Sequence, residues 1–117
     1  MTIRRIQPGD RMSQAVVHGS MVFLSGQIGD PSDTLETQTR TCLEKSEALL
    51  REAGSAKSHI VKVEIWLADL ADFDAMNAVY EGWLDRANPP ARATCEARVR
   101  ADGTLVEIVM TAALVTE

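Results

Sequence analysis

Arg92 and Glu107 are the charged side chains whose positions in the sequence best suit them to chemistry. Arg92 follows Pro90-Ala91 at the start of a β-rich run, where its planar guanidinium can donate paired hydrogen bonds to a carboxylate. Glu107 interrupts an apolar run, and burial there would raise its pKa and make proton transfer feasible. The structural alternatives are an exposed or ion-paired arginine and a salt-bridged glutamate.

A hairpin-turn signal, Asp102-Gly103, lies between the two predicted strands that carry these residues. A two-residue turn there pairs Glu107 with Arg98, the obvious salt-bridge partner. Arg92 then lies six residues further along the sheet, about 20 Å away if the strand is extended. If both residues serve one site, we therefore expect them to come from adjacent subunits of a ring.

The first half of the chain predicts a hairpin followed by a helix. Two short β-rich runs, residues 15–17 and 21–24, flank a Gly-Ser turn and predict antiparallel strands. Apolar residues at spacings of three and four then predict a helix that ends at Gly54. Asp33 and Glu36 resemble a capping box at the start of this helix.

The second half predicts a strand, a helix and two more strands. Residues 60–67 alternate apolar and polar side chains, as a half-buried strand does. Asp69 or Asp72 can cap a second helix, and Asn88-Pro89-Pro90 stops it because proline lacks an amide donor. The chain then continues with strands over residues 91–99 and 105–115.

These elements predict a single α+β domain over residues 1–117, with the order β-β-α-β-α-β-β and both helices on one face of the sheet. In the last strand Val106 and Ile108 form one apolar face, yet Val109 and Ala113 make the other face apolar as well. A sheet that is apolar on both faces needs a second burial partner. A domain of this size also gains buried area by associating with identical copies.

Alternation in the strand that begins at residue 91 divides its side chains between the two faces of the sheet. Arg92 and Thr94 share one face with Glu96, whereas Ala93 and Cys95 share the other. We expect the small residues to face the helices, which makes Cys95 a core residue.

The composition excludes several classes of function. With a net charge of -5 and a pI of about 5.0, the chain lacks the basic surface that nucleic-acid backbones require. Its apolar stretches are too short to cross a membrane and its N-terminus lacks a signal-peptide core, which predicts a cytoplasmic location. Two separated cysteines and two histidines, without ligand spacing, predict neither a disulfide nor a metal site.

Several short motifs, in order along nearly the whole chain, resemble the RidA (YjgF) family. The chain opening, together with Val16-Val17-His18, is most similar to the YoaB-like branch of that family. The motifs are Ser25-Gly26-Gln27-Ile28, Asp69-Leu70-Ala71-Asp72-Phe73 followed by Asn77-Ala78-Val79-Tyr80, Pro90-Ala91-Arg92, and Val106-Glu107-Ile108.

The resemblance implies a chorismate-mutase-like homotrimer, in which the sheets form an inner β-barrel, the helices lie outside, and a ligand cleft lies at each subunit boundary. It also implies hydrolysis of reactive enamines and imines, made by pyridoxal-phosphate enzymes, to 2-oxo acids and ammonia. No cofactor is implied, and the expected partner is a small imino, enamino or 2-oxo acid.

The resemblance also implies roles for individual residues. Arg92 would bind the substrate carboxylate, and Glu107 would hold or deprotonate the attacking water. The Gly26 amide and the Ser25 hydroxyl would contact the ligand from the turn after the strand. A strand-end hydroxyl and a turn glycine are the structural alternatives for these two residues.

Two positions depart from the family pattern. Met12 stands where active relatives place a tyrosine, and Thr94 stands where the family places a cysteine two residues after the arginine. These departures favour an alternative function, in which the clefts of the trimer bind small carboxylates without turning them over. An endoribonuclease activity fits poorly with the negative charge and the lack of a histidine pair.

Overall fold

One mixed sheet of six strands carries both helices on a single face in the computed structural model, which describes residues 2–116. The strands are β1 (Ile3–Pro8), β2 (Ser13–His18), β3 (Met21–Leu24), β4 (Ile60–Leu67), β5 (Ala91–Glu96) and β6 (Val106–Ala113). The helices are α1 (Leu35–Ala53) and α2 (Phe73–Trp83). The sheet order is β1-β2-β3-β6-β4-β5, and only the β4–β5 pair is parallel. The α+β class is therefore confirmed.

The predicted order β-β-α-β-α-β-β is wrong at its start, because β1 precedes the first predicted hairpin. This edge strand buries only Ile6, so it has no alternating apolar pattern. What holds it is pairing with β2 and a hydrogen bond from the Arg4 guanidinium to the Ala53 carbonyl, at 2.8 Å.

The predicted hairpin between the last two strands is also wrong. β4 lies between them, parallel to β5 and antiparallel to β6, so Glu107 lies opposite Trp66 and not opposite Arg98. Asp102 and Gly103 do form a turn, but within a longer connection that passes over the end of β4. Gly103 has a φ of +101°, and a side chain there would begin 2.9 Å from the Pro31 carbonyl oxygen. The turn signal is local and does not say whether the flanking strands pair.

The helix boundaries follow the predictions with one shift. α1 ends at Gly54 as expected, but its N-cap is Thr34, whose hydroxyl accepts from the Thr37 amide at 3.2 Å. The predicted capping box was therefore placed one residue too early. Asp69 accepts the Ala71 amide at 2.9 Å and begins a short 3-10 turn, and α2 follows directly.

The expectation that the small side chains of β5 face the helices is wrong. Arg92 pairs with Val63 and Thr94 pairs with Ile65, and both partners belong to the buried core beneath the helices. Residues paired across neighbouring strands point to the same face, so Arg92 and Thr94 lie on the helix side. Ala93 and Cys95 lie on the opposite side, where Cys95 is exposed and is not a core residue.

The face of the sheet away from the helices keeps apolar side chains near its surface. Phe23 is 47% exposed there, and Val109 and Trp66 are half-buried. On the helix face, by contrast, Val106 and Ile108 are fully buried. Within residues 2–116, neither helix is both long enough and apolar enough to span a bilayer.

Gln38 is a buried amide that fixes the long connection before β6 against α1. Its Nε2 donates to the carbonyls of Asp33 and Gly103, at 3.0 and 3.1 Å, and its Oε1 accepts the Leu105 amide at 2.8 Å. The side chain is fully buried. All of these backbone groups would lose a partner without it, and a buried polar group without a partner is costly.

We predict that Gln38→Leu lowers the free energy of unfolding by about 2–3 kcal/mol, because the Leu105 amide and the two carbonyls are left unpaired. Urea unfolding followed by circular dichroism measures this difference. The matched control is Gln7→Leu, since among residues 2–116 the exposed Gln7 amide donates only to Glu52. A change of about 0.5 kcal/mol or less is expected there. Equal losses in the two variants would contradict the role assigned to Gln38.

Candidate active site

The segment after β3 crosses from β2 to β6 and carries two of the expected site residues. Ser25 is fixed to β2: its amide donates to the Gln14 carbonyl at 2.9 Å and its hydroxyl to the Ser13 carbonyl at 2.6 Å. Gln27 then exchanges both backbone hydrogen bonds with Ile108 of β6, at 2.9 and 3.1 Å. Because Gly26 lies between these anchors, it is held beside Glu107.

The carboxyl group of Glu107 packs directly against the backbone of Gly26. A Cβ atom added at Gly26 would lie 1.8 Å from Oε2 of Glu107, so only glycine permits this approach. In the described part of the chain, the Gly26 amide pairs with no backbone carbonyl. Glu107 and Gly26 are thus brought together within one chain.

A depression of about 300 Å³ opens over this pair. Met12 lies at its rim with 53% of its surface exposed. A thioether therefore stands at the position where the family resemblance implies a tyrosine. The lining residues are Met12, Gln14, Gly26, Gln27, Ile28, Lys45, Arg100 and Glu107. The sequence analysis did not identify Lys45 and Arg100, because their positions in a helix and a loop indicate solvent-exposed side chains.

Burial raises the pKa of Glu107 above its usual value, and the nearby positive charge of Arg100 offsets part of this rise. A carboxyl group with a raised pKa takes up a proton more readily near neutral pH. Among residues 2–116, Glu107 forms no ion pair, so the predicted salt bridge to Arg98 is wrong. The group is therefore available to a ligand.

Cys42 lies beneath the crossing segment and is inert. Its thiol donates to the Gln27 carbonyl at 3.1 Å, and the residue is fully buried. Burial raises the pKa of this thiol to about 12, with a smaller opposing effect from the charge of Lys45. Cys42 therefore supports the segment and cannot act as a nucleophile.

Arg92 lies beneath α2, on the other face of the sheet. One terminal nitrogen donates to Oδ1 of Asn77 at 2.6 Å, and the guanidinium carbon lies 5.0 and 5.7 Å from the ring centres of Tyr80 and Phe73. In the sequence Phe73, Met76, Tyr80 and Trp83 recur at helical spacing, which predicts core packing, whereas Asn77 appears only in the motif Asn77-Ala78-Val79-Tyr80. Helical spacing alone therefore gave no signal that Asn77 would hold Arg92.

The guanidinium of Arg92 keeps donors available. No carboxylate of residues 2–116 forms an ion pair with it, and its contacts are an amide and two aromatic rings. The hydroxyl of Thr94, two residues along the same face, is buried without a hydrogen-bond partner. Phe73 and Thr94 also line a shallow depression of about 550 Å³, beside Leu70, Ala71 and Asp74.

One chain therefore carries two separate groups of candidate residues. Met12, Ser25, Gly26 and Glu107 lie together on one side, whereas Arg92 and Thr94 lie on the helix face of β5. The separation was expected from the sequence, but for the wrong reason: the two strands do not form a hairpin, and β4 lies between them. Among the described residues, no cluster of three or more His, Cys, Asp or Glu side chains is arranged to hold a metal ion.

Comparison with known proteins gives consistent matches over the whole chain. A model of the family described as Endoribonuclease L-PSP matches residues 2–114. A RutC family protein of Haemophilus influenzae is 38% identical over 116 residues, covering 96% of this chain and 98% of the relative. The RutC family protein YoaB of Escherichia coli K12 is 34% identical, covering 97% of this chain and all of the relative.

Solved structures agree with this fold in detail. A YjgF family member from Neisseria meningitidis superposes with a TM-score of 0.95 at 36% identity, covering 100% of this chain and 98% of that one. A protein described as a putative endoribonuclease L-PSP from Entamoeba histolytica gives a TM-score of 0.88 at 30% identity, covering 97% and 100% of the two chains.

The raised pKa of Glu107 predicts a pH-dependent effect of Glu107→Gln on stability. A raised pKa means that the fold favours the neutral acid, so this contribution to stability is present at low pH and is lost as the pH rises through the folded-state pKa. The uncharged glutamine should therefore be more stable than the wild type at pH 7, with the difference shrinking toward pH 4. Urea unfolding across this range measures it, with Glu44→Gln on the exposed face of α1 as the control. A constant difference at every pH would contradict the assignment.

Proposed function

The chain belongs to the Endoribonuclease L-PSP family, also known as the YjgF or RidA family, and on that premise we propose that it is a cofactor-independent deaminase. It hydrolyses reactive enamines and imines to 2-oxo acids and ammonia at clefts between subunits. The observation that carries the proposal is the half-buried carboxyl group of Glu107, with its raised pKa, packed against Gly26 in a depression of ligand size.

Assembly into a homotrimer would bring the two groups of residues together. The sheet face away from the helices leaves Phe23, Val109 and Trp66 partly uncovered, and such a face favours a partner that buries it. Three such faces packed together would form the inner barrel. Arg92 of one subunit would then meet Glu107 of its neighbour, which is the geometry that a heterologous ring interface allows.

Substrate binding in this cleft would depend on Arg92. Asn77 and the two aromatic rings fix the guanidinium, and its remaining donors would hold the substrate carboxylate. The unpartnered hydroxyl of Thr94 could donate to the same carboxylate after a rotamer change. Because the Ser25 hydroxyl donates to the Ser13 carbonyl, it would contact a ligand only as an acceptor, beside the Gly26 amide as a donor.

The chemical step would be addition of water followed by loss of ammonia. An enamine first gains a proton at carbon and loses one from nitrogen, which makes it the imine. Glu107 then accepts a proton from water while the water oxygen bonds to the imine carbon and the C=N electron pair moves to nitrogen. Glu107 returns the proton to nitrogen, which gives a neutral amino alcohol. The C–N bond then breaks with its electron pair on nitrogen, and the hydroxyl proton passes to that nitrogen, so that the carbonyl forms and ammonia leaves. Water is the only co-reactant, so the reaction is balanced without a cofactor.

A second candidate function is binding of small carboxylates without turnover. It is favoured by Met12 at the rim of the depression and by Thr94 beside Arg92, the two departures from the family pattern. Both functions require Arg92 for binding. The binding function does not require Glu107, whereas the deaminase function does. Measurement of turnover therefore distinguishes the two functions.

We predict that the purified protein has a mass of three chains of 12.8 kDa each, and that Phe23→Asp dissociates it. In the trimer this sheet face would be buried between subunits, so a carboxylate there would carry an unpaired charge into the interface. Light scattering after size-exclusion chromatography measures the mass. Ala78→Asp, on the exposed surface of α2, is the control and should remain trimeric. A monomeric wild type would overturn the proposed cleft.

We predict that Arg92→Ala lowers the rate of imine hydrolysis about 10- to 100-fold through loss of a charged hydrogen bond. Glu107→Gln should lower it about 100-fold or more through loss of the proton acceptor. The imine is generated from an amino acid by an oxidase, and release of the 2-oxo acid is followed against the uncatalysed rate.

The matched controls for this experiment are Arg98→Ala and Glu44→Gln, which remove the same charges from exposed positions outside the depression. If the wild type gives no acceleration, or if Arg92→Ala is as active as Arg98→Ala, the catalytic proposal fails. Saturable, Arg92-dependent binding of a 2-oxo acid without turnover would favour the binding function.

A further inference from the structure

Two cationic side chains share the depression with Glu107 and have no part in the hydrolysis described above. Lys45 comes from α1, and its ammonium donates to the Ile28 carbonyl at 2.8 Å. That bond ties it to the segment that carries Gly26. An ammonium has three donors, so two remain for a ligand.

Arg100 reaches the same depression from the connection between β5 and β6. Its Nε lies 3.3 Å from Oδ2 of Asp102, and its side chain is 57% exposed. Arg100 and Glu107 line the same depression, and the positive charge of Arg100 opposes the rise in the pKa of Glu107. Among residues 2–116, Asp102 is the only ion-pair partner of this guanidinium, so its other nitrogens are available to a ligand.

The space beside Glu107 continues along α1. A neighbouring depression of about 350 Å³ shares Gln14, Gln27 and Lys45 with the first one and extends toward Leu49 and Glu52. Lys45 therefore stands where the two depressions meet. A ligand with a side chain of two or three carbons, placed with its reacting carbon near Glu107, would direct the end of that side chain toward Lys45.

The charges around this space favour an anion near Lys45 and disfavour one further along α1. The charged residues that line the first depression are Lys45, Arg100 and Glu107, which sum to +1. Glu52 lies at the far end of the second depression, where it would repel a carboxylate. The position that suits an anion is therefore short of Glu52, within reach of Lys45 and Arg100.

We propose that Lys45 and Arg100 form a second anion subsite that binds a carboxylate at the end of the substrate side chain. The preferred substrates are then imines of dicarboxylic amino acids with four or five carbons. This inference rests on the proposed function, because Arg92 is taken to bind the first carboxylate. The proton transfers remain those of the monocarboxylic reaction.

The test compares two product-like acids that differ only at the far end: 2-oxoglutarate, which ends in a carboxylate, and 2-oxopentanoate, which ends in a methyl group. We expect the wild type to bind 2-oxoglutarate about tenfold more tightly by titration calorimetry. Lys45→Met and Arg100→Met should each remove most of this preference, whereas Lys45→Arg should retain it.

The matched control is Arg40→Met, which removes an exposed cation from the same helix outside both depressions and should retain the preference. If the wild type binds both acids equally, the second subsite is wrong while the deaminase proposal stands. If the preference persists in Lys45→Met and in Arg100→Met, the assignment of these residues is wrong. If neither acid binds, the second subsite is wrong, and the rate of imine hydrolysis decides the deaminase proposal separately.

Discussion

The parallel pairing of β5 with β4 is the constraint on which the geometry of the candidate site depends. It separates β5 from β6 and turns Arg92 toward the helices, where Asn77, Tyr80 and Phe73 of α2 hold the guanidinium. Glu107 points to the other face of the sheet. The two charges therefore lie on opposite faces of the sheet, on strands that β4 separates.

The other half of the site depends on backbone contacts instead. The bridge between Gln27 and Ile108 fixes the crossing segment, and the missing side chain of Gly26 leaves room for the carboxyl group of Glu107. Partial burial there raises the pKa of Glu107, while Arg100 limits the rise. A group in this balance is neither locked in an ion pair nor fully hydrated, which is the condition that proton transfer to and from water needs.

The sequence predicts the helices and strands that local patterns define. It does not predict which strands pair when they are far apart along the chain. Helical spacing and Gly54 are enough to predict α1, and the alternation of apolar and polar residues is enough to predict β4. β1 was missed because an edge strand with two arginines has no apolar alternation. The Asp102-Gly103 turn was identified, but not the strand order around it.

For the site, short motifs pointed to Gly26 and Glu107. The prediction for the sheet face that carries Arg92 was wrong, because the small side chains of its strand were assumed to face the helices. Lys45 was missed because an exposed position on a helix gives no sign in the sequence that it lines a pocket.

The two thiols of this protein differ in a way that experiments can use. Cys42 is fully buried, and burial raises the pKa of its thiol to about 12, so the thiol stays protonated at pH 7. Maleimides and iodoacetamide therefore have one accessible thiol among the described residues, Cys95, on the sheet face away from the helices. A fluorophore or spin label attached to the unmodified chain would sit at one defined position, and it would report directly on whether that face is open to solvent or covered by another molecule.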